Sequence, residues 1–246
     1  MTDGYSAIGA TSLPGVSPLA QRLADRLRRD ILIGRLKPGA PVKERDTAEE
    51  LGVSRTPMRE AIRILAQEGL VVLRPARSPI VADPTLKDVT DDLTVLMVLE
   101  ALSAELACRN ATARDLADLE EIHADLAAAH ATAHPADLFE TDMSFHRRIA
   151  RASHNPSLAE THGAYLARLW RARYLSASQR RNRERVLTQH RAILDGLVAR
   201  DEAATRAAVE RHLGPLVAHI SAYFDDPDAR AIHVLGAAGA SGTAKD

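Results

Sequence analysis

The chain has 246 residues, of which 46% are hydrophobic and 26% charged, enough for the core of one large domain or of two moderate ones. It contains no uncharged apolar run of 18 residues, and its first residues lack a basic segment followed by an apolar one. We therefore expect a cytoplasmic protein without membrane insertion. Cys108 is the single cysteine, which excludes an internal disulfide and a cysteine-rich zinc module.

The net charge of −1 conceals an uneven distribution. Residues 17–82 contain 13 Lys and Arg against 8 Asp and Glu, a net charge of +5, so the remainder carries −6. A basic segment of this kind suits an anionic partner, although an ordinary solvated surface can have the same composition. Charge alone leaves both interpretations open.

The hydrophobic pattern divides the chain into two domains joined by a linker at about 82–86. Residues 17–82 combine short helical patterns with β-prone runs, whereas 87–225 has long Ala- and Leu-rich helical patterns. The terminal segments, 1–16 and 226–246, have no period, and we expect them to be flexible.

The N-terminal domain has the pattern of three helices and a hairpin. The first helix begins at Pro18 and ends before Gly34, and further helices are predicted at about 44–51 and 55–68, the last with Ser54 as its N-cap. Two β-prone runs follow, an order that is typical of a winged helix-turn-helix. The predicted strands are 70–73 and 80–82, and the apolar stripe of the first helix is Leu19, Leu23, Leu27, Ile31 and Leu32.

The C-terminal domain has helical patterns and no convincing strand. Aromatic residues make up only 3% of the chain, so its core must come from Leu, Ala, Val and Ile side chains in an antiparallel helical bundle. We therefore predict a mainly α protein, a winged helix-turn-helix followed by an all-α bundle. The six predicted bundle helices are 87–109, 113–131, 136–152, 156–177, 182–199 and 202–224.

Arginines cluster near the third predicted helix. Arg55, Thr56 and Arg59 lie at its N-terminal end, opposite its apolar side, and such a fold inserts that end into a major groove. An arginine fork can bond O6 and N7 of guanine together. Arg45 is placed to reach phosphate or base, and Arg77 lies at the hairpin tip. The alternative is that these side chains only solubilise the surface.

The stretch "PGAPVKERDTAEELGVSRTPMREAIRILAQEGLVVLRP" resembles the DNA-binding domain of the GntR family of bacterial transcription regulators. It matches the signature "GVSRTPxREAxxxLxxEGLV" across 52–71. The resemblance implies that Arg45, Arg55 and Arg59 hold operator DNA, with Thr56 as a phosphate or base contact. The expected partner is therefore double-stranded operator DNA.

Two positions depart from the family pattern. Thr47 stands where the family usually has a leucine, and Ser78-Pro79 stands where the wing usually has a glycine turn. The second departure leaves open the conformation of the wing and a DNA contact from Arg77.

Four side chains of the helical domain have the chemistry of metal ligands. Asp142 and His146 are one helical turn apart on one face, and His190 and His212 fall on helices that we expect to be neighbouring and antiparallel. One carboxylate and three neutral imidazoles suit zinc, with nickel, iron or manganese as alternatives. Buried histidines with a purely structural role are the competing interpretation.

The helical domain is similar to the FCD-type effector domain of the FadR subfamily. In that domain "DxxxH", "xxHxxILxxL" and a final "HL" supply metal ligands, and all four positions match here. The resemblance implies a divalent metal that anchors a small organic acid or stabilises the domain. Leu96 departs from the pattern, because relatives often have an arginine there, four residues before Glu100.

The stretch "LWRARYLS" supplies Arg171, Arg173 and Tyr174 as candidates for contact with an effector carboxylate. The alternative is that these side chains face solvent or a partner subunit.

These expectations combine into a metabolite-responsive transcription regulator, a repressor rather than an activator. It would bind a near-palindromic operator as a homodimer formed through the helical domain, with a metal-centred site that senses a small carboxylate. The helical domain has no nucleophile and base arrangement, phosphate loop or zincin motif, so we do not expect an enzyme. The alternatives are a metal-dependent hydrolase or other enzyme with a DNA-binding head, and a constitutive DNA-binding protein with a structural metal.

Overall fold

The computed structural model describes residues 17–178 and 183–225. The chain divides into two compact units, Met1–Asp83 and Pro84–Asp246. The predicted flexible segments lie outside the described residues. The elements are α1 (Pro18–Leu32), α2 (Glu44–Glu50), α3 (Arg55–Gln67), β1 (Val71–Arg74), β2 (Arg77–Val81), α4 (Leu86–Asn110), α5 (Ala113–Ala129), α6 (Pro135–Ala152), α7 (Pro156–Arg168), α8 (Trp170–Ser178), α9 (Arg183–Ala199), α10 (Glu202–Leu213) and α11 (Leu216–Asp225).

Helix α1 packs against α3 in the first unit. The hydroxyl of Ser17 accepts a hydrogen bond from the backbone N–H of Ala20, which caps the helix, and Pro18 occupies the first turn, where its missing N–H costs nothing. Leu23, Leu27, Ile31 and Leu32 of the predicted apolar stripe are buried, whereas Leu19 is 37% exposed. The small residues Ala20 and Ala24 are also buried and let α1 approach its neighbour closely.

Helices α2 and α3 and the turn between them form the helix-turn-helix. Gly52 has φ +64°, a left-handed conformation that suits glycine at the end of α2. Ser54 is the N-cap residue of α3, as predicted, but its side chain makes no capping hydrogen bond. The apolar side of α3 is buried through Met58, Ala61, Ile62, Ile64 and Leu65.

Strands β1 and β2 pair antiparallel and form the wing. The turn falls at Pro75-Ala76, with Ala76 at φ 55°, and Ser78-Pro79 lies within β2. Arg74 donates through Nε and Nη2 to the carbonyl oxygen of Ser78, at 2.9 and 2.6 Å, which ties the two strands together. The carbonyl oxygen of Pro79 accepts from the N–H of Val42 at 2.8 Å. The wing therefore forms without a glycine turn.

The second unit consists of helices with strong start signals. Thr85 and Asp88 form a capping box at α4, and Thr112 and Asp115 form another at α5. In each, the threonine hydroxyl accepts from the backbone N–H of the aspartate, and the carboxylate accepts from the backbone N–H of the threonine. Helix α4 packs against α6, α7, α9 and α10, so it runs through the centre of the unit. The predicted bundle class is confirmed by this arrangement.

Eight helices, not six, make up the described part of this unit. The predicted helix 156–177 is interrupted at Leu169, where α7 ends before α8 begins at Trp170. The predicted helix 202–224 is interrupted at Gly214-Pro215, because proline lacks the N–H that a continuous helix needs and its ring clashes with the preceding turn. Within the described ranges, no helix is both long and apolar enough to cross a membrane.

Candidate functional site

Three buried histidines from three helices meet inside the helical unit. His146 lies on α6, His190 on α9 and His212 on α10, and one ring nitrogen of each lies within 4.8 Å of the other two. Nε2 of His190 is 3.4 Å from Nε2 of His212. The antiparallel pairing expected of α9 and α10 therefore places these two residues side by side.

Asp142 lies one turn before His146 on α6, at the edge of this cluster. Its Oδ1 is 3.3 Å from Nε2 of His190, and that oxygen is buried without a hydrogen-bond partner. A buried carboxylate oxygen with no donor is costly unless a cation or another donor satisfies it. The four residues singled out in the sequence are thus brought together, with Asp142 at the outer edge and 18% of its side chain exposed.

The outer ring nitrogens of two histidines have fixed partners. Nδ1 of His146 lies 2.8 Å from Oε2 of Glu100, and Nδ1 of His212 lies 3.1 Å from Oε1 of Gln189. A ring N–H that donates to such an oxygen leaves Nε2 unprotonated and turned toward the cluster. This is the arrangement that histidine ligands of metals usually have.

Burial favours the neutral form of two of these imidazoles, those of His190 and His212. It lowers the pKa of His190 to about 3, although Asp142 favours the charged form, and neighbouring His146 adds to the lowering. Burial, followed by the proximity of His190 and His146, lowers the pKa of His212 well below its usual range. Neutral imidazoles are the form that binds a metal, so His190 and His212 have the protonation state that an ion needs at neutral pH.

Glu100 is a buried charge at the centre of the unit. Burial raises its pKa, but contacts with His146 and His162 outweigh burial, so the pKa lies well below its ordinary value. Nη1 of Arg173 lies 3.3 Å from Oε1 of Glu100, and Nη2 of Arg173 lies 3.3 Å from Nε2 of His146. The guanidinium therefore contacts the nitrogen that the histidine presents to the cluster.

The donor set fits a divalent transition metal. It comprises three imidazole nitrogens and one carboxylate oxygen, the buried oxygen lacks a donor, and two outer nitrogens are fixed by Glu100 and Gln189. An ion held at His146 would compete with the contact from Arg173 and leave that guanidinium available to an anion. Such an ion would supply a positive charge that orients a carboxylate ligand.

Sequence reasoning missed three residues around the cluster, namely Glu100, His162 and Gln189, as site residues. A signal existed for Glu100, because it is the only charged residue in the apolar run 93–104 of α4. Nε2 of the buried His162 lies 3.4 Å from Oε1 of Glu100. No local pattern marked His162 or Gln189.

The three candidate effector residues lie in different surroundings. Arg173 is buried against Glu100 and His146, and Arg171 is half-buried. Tyr174 is buried and packs edge to face against Phe139, with ring centroids 5.5 Å apart. Arg173 and Tyr174 therefore face the interior of the unit.

The five candidate DNA-binding residues are all exposed on the first unit. Arg55 and Thr56 form the first turn of α3, and Arg77 begins β2 directly after the wing turn. Arg45 on α2 pairs loosely with Asp46 and Glu49, at 3.6 and 3.8 Å. Exposed ion pairs of this kind contribute little to stability and are readily exchanged for contacts with phosphate.

Arg59 is held more firmly than Arg45, the other candidate DNA-binding arginine with an acidic partner. It donates through Nε and Nη2 to the carboxylate of Glu44 on α2, at 3.3 and 2.8 Å, although its side chain remains 57% exposed. This pairing leaves Nη1 available on the exposed end of α3. A second helix thus fixes the orientation of a side chain on the recognition helix.

Comparison with known proteins identifies both units. The profile of the bacterial regulatory proteins of the gntR family matches residues 19–81, and that of the FCD domain matches 92–214. The chain is 30% identical to the HTH-type transcriptional repressor RspR of Escherichia coli K12, over 82% of this chain and 89% of that protein. It is also 30% identical to a probable D-xylose utilization operon transcriptional repressor of Paenarthrobacter nicotinovorans, over 82% and 89% of the two chains.

A solved structure, E. coli McbR/YncC, superimposes with a TM-score of 0.73 over 85% of this chain and 99% of that one, at 24% identity. This similarity concerns the fold. A winged helix-turn-helix with exposed arginines, followed by a helical unit with a buried polar cluster, defines a DNA-binding regulator with a sensor domain. The chain belongs to the GntR family and carries an FCD domain, so its class is transcription regulator and not enzyme, as the sequence predicted.

Proposed function

We propose that the protein is a metabolite-responsive repressor that binds its operator as a homodimer and senses a small carboxylate at a metal centre. The observation that carries the proposal is the convergence of Asp142, His146, His190 and His212, in a chain that also has a DNA-binding domain. Repression is favoured because two of the relatives described above are named as repressors.

The DNA side of the proposal rests on the exposed end of α3. Arg55, Thr56 and Arg59 would read base edges and phosphates in the major groove, with Arg45 and Arg77 holding the flanking backbone. One short recognition helix discriminates weakly, whereas two linked copies combine their half-sites through effective concentration. The protein would therefore bind a near-palindromic operator as a dimer.

The sensing side rests on the charges around the cluster. Asp142 and the three histidines would hold zinc, or alternatively nickel, iron or manganese, and Arg173 would pair with a ligand carboxylate. A ligand that binds one packing of the helices more tightly than another shifts the equilibrium between these two conformations. The size of the shift is set by the difference in its affinity for the two conformations. The shift would change the affinity of the winged helix-turn-helix units for the operator.

Elemental analysis of the purified protein tests the metal centre. We expect about one divalent ion per chain, lost in His190→Ala and in His212→Ala. His134→Ser is the matched control, because this exposed histidine caps α6 and serine also caps helices, so this variant should keep the ion. A metal-free wild-type protein whose melting temperature ignores added divalent ions would refute the metal centre.

Operator binding with and without candidate acids tests the sensing. Duplexes selected from genomic DNA by the protein provide the probe, and fluorescence anisotropy at fixed salt provides the affinity. We expect at least one carboxylic acid to change the affinity without being consumed. Turnover of the acid would favour an enzyme, and affinity that ignores every acid would favour a constitutive DNA-binding protein.

A further inference from the structure

Three arginines follow one another along α3 at intervals of four residues. Arg55, Arg59 and Arg63 are all exposed on this helix. Four residues advance an α-helix by about 6 Å and turn it by about 40°, so the three side chains form a slowly winding basic stripe. Gln67, four residues further on, is uncharged and ends the stripe.

The acidic side chains near this stripe are engaged elsewhere. Oε1 of Glu60, within α3, accepts a hydrogen bond from the backbone N–H of Ser17 at 3.3 Å. Glu68, directly after α3, accepts from Nη2 and Nε of Arg28 on α1, at 2.6 and 3.0 Å. Both carboxylates are therefore held at α1, and neither neutralises the third arginine of the stripe.

Arg63 adds no favourable charge contact to the fold. Its side chain makes no ion pair with any residue that the structure describes. It lies one helical turn beyond the like charge of Arg59, and like charges at this spacing destabilise a helix slightly. An exposed basic stripe with no stabilising partner for its last member suits a polyanion.

The distance along α3 indicates which part of DNA Arg63 would meet. Its Cα lies eight residues beyond that of Arg55, about 12 Å along the helix axis. The major groove of B-DNA is about 8.5 Å deep. When the N-terminal end of α3 reaches the base edges on the floor of the groove, Arg63 would therefore lie at the level of the bordering phosphates.

We infer that Arg63 binds a backbone phosphate at the rim of the major groove and holds α3 there without reading sequence. The inference rests on the proposed DNA-binding function and adds to it a contact that depends on charge alone. Lysine and arginine both supply a charge to a phosphate, whereas the paired acceptors of guanine require the arginine fork. Arg63 should therefore tolerate replacement by lysine, and Arg59 should not.

Fluorescence anisotropy of the full-length protein tests the inference, with a duplex selected from genomic DNA and a scrambled duplex of the same length. Arg63→Ala should weaken binding to both by the same factor, about 3- to 10-fold per bound chain, and leave their affinity ratio unchanged. The slope of log affinity against log salt should fall by about 0.9 per bound chain. Arg63→Lys should restore both the affinity and the slope.

Two other positions provide the comparison. Arg59→Ala should weaken binding to the selected duplex more than to the scrambled one, and Arg59→Lys should not restore it. Arg114→Ala removes the same charge from an exposed position of α5 in the helical unit, and it should leave the affinity and the slope unchanged. Arg63→Ala should melt no lower than the wild type, because alanine favours a helix.

The inference would be overturned by an Arg63→Ala variant that binds both duplexes as tightly as the wild type, or that loses affinity for the selected duplex alone. Failure of Arg63→Lys to restore binding would also overturn it, because a phosphate contact needs only the charge. An equal fall in slope for Arg114→Ala would do the same, since it would reflect net charge and not a contact.

The same measurements separate this inference from the proposed function. If Arg55→Ala and Arg59→Ala weaken operator binding but Arg63→Ala does not, α3 is the recognition helix and only the phosphate contact is wrong. If none of the three substitutions changes binding, the assignment of α3 as the recognition helix is wrong as well.

Discussion

Oε2 of Glu100 lies 2.8 Å from Nδ1 of His146, and both side chains are buried. The contact joins α4 to α6 across 46 residues of sequence. Because the carboxylate is ionised, it accepts a hydrogen bond from the Nδ1–H of the imidazole, and Nε2 keeps its lone pair. Glu100 therefore positions His146, a candidate metal ligand, without being a candidate ligand itself.

Glu100→Gln should lower zinc affinity by about 10- to 100-fold, the usual cost of losing the outer partner of a histidine ligand. The amide can present its NH₂ group to Nδ1, which would turn the other tautomer toward the ion. Competition with a chromophoric chelator measures the affinity. Glu105→Gln, on the same helix but paired with Arg206, is the control. Equal affinities in the two variants would mean that Glu100 does not orient His146.

Glu44→Ala should weaken operator binding although Glu44 carries the same sign of charge as DNA. Its carboxylate fixes Arg59 through two hydrogen bonds, and an oriented arginine loses less freedom on binding guanine. We expect a loss of about 3- to 10-fold in affinity, smaller than the loss expected for Arg59→Ala. Anisotropy with a selected duplex and a scrambled duplex, at one salt concentration, gives both affinity and specificity.

Glu49→Ala is the matched control for that experiment. Glu49 is also an exposed acid of α2, but it contacts Arg45 only at 3.8 Å. Removal of its charge should leave operator binding unchanged or slightly tighter. Tighter binding by Glu44→Ala as well would show that Glu44 only repels phosphate and does not position Arg59.

Local signals in the sequence predicted most of the helical boundaries. The N-cap position of Ser54, and the glycines after α2 and α3, act on their own neighbours in the chain and are readable without a fold. Gly214-Pro215 is a break signal of the same kind, and the predicted helix 202–224 ran through it although α10 ends at Leu213. Periodicity reports which face is buried and not whether the backbone is continuous.

The candidate metal site was predictable where its geometry is local. Asp142 and His146 are four residues apart on one helix, so their proximity follows from helical geometry. Glu100 and Gln189 act through contacts with His146 and His212 that depend on how separate helices pack, for which the sequence offers no spacing. His162 enters the buried network for the same reason.

Gly196→Ala should destabilise the helical unit. A Cβ at Gly196 on α9 would lie 2.5 Å from Oγ1 of Thr205 on α10 and 3.1 Å from its backbone N and Cα, and backbone cannot move aside without separating the helices. We expect a loss on the order of 1–3 kcal/mol in the free energy of urea unfolding, despite the better helix propensity of alanine. Zinc affinity should fall too, because these helices carry His190 and His212.

Gly163→Ala provides the opposite control for that substitution. Gly163 is inside α7, and a Cβ there meets nothing within 4 Å. Alanine should therefore stabilise the protein by about 0.5–1 kcal/mol, through propensity alone. Destabilisation of similar size in both variants would show that the close approach of α9 and α10 is not the cause.

Asp115 should make the stability of the helical unit depend on pH in the acid range. Burial raises its pKa, but hydrogen bonds from the hydroxyl and N–H of Thr112, with contacts to His154 and Arg148, outweigh burial and hold the pKa well below its ordinary value. A depressed pKa in the folded state means that the unfolded chain binds the proton more readily. The stabilisation is therefore complete above about pH 4, the unfolded value, and is lost as pH falls below it.

Asp115→Asn removes this dependence, since an amide does not titrate in this range. The difference in the free energy of urea unfolding between the wild type and Asp115→Asn should be on the order of 2 kcal/mol at pH 6 and shrink steadily from pH 4 to pH 3. Asp125→Asn, at an exposed position of the same helix, should follow the wild type throughout. A difference for Asp115→Asn that stays constant across this pH range would mean that the carboxyl of Asp115 has the same pKa in the folded and unfolded chains. The contacts with Arg148 and His154 would then not stabilise its ionised form.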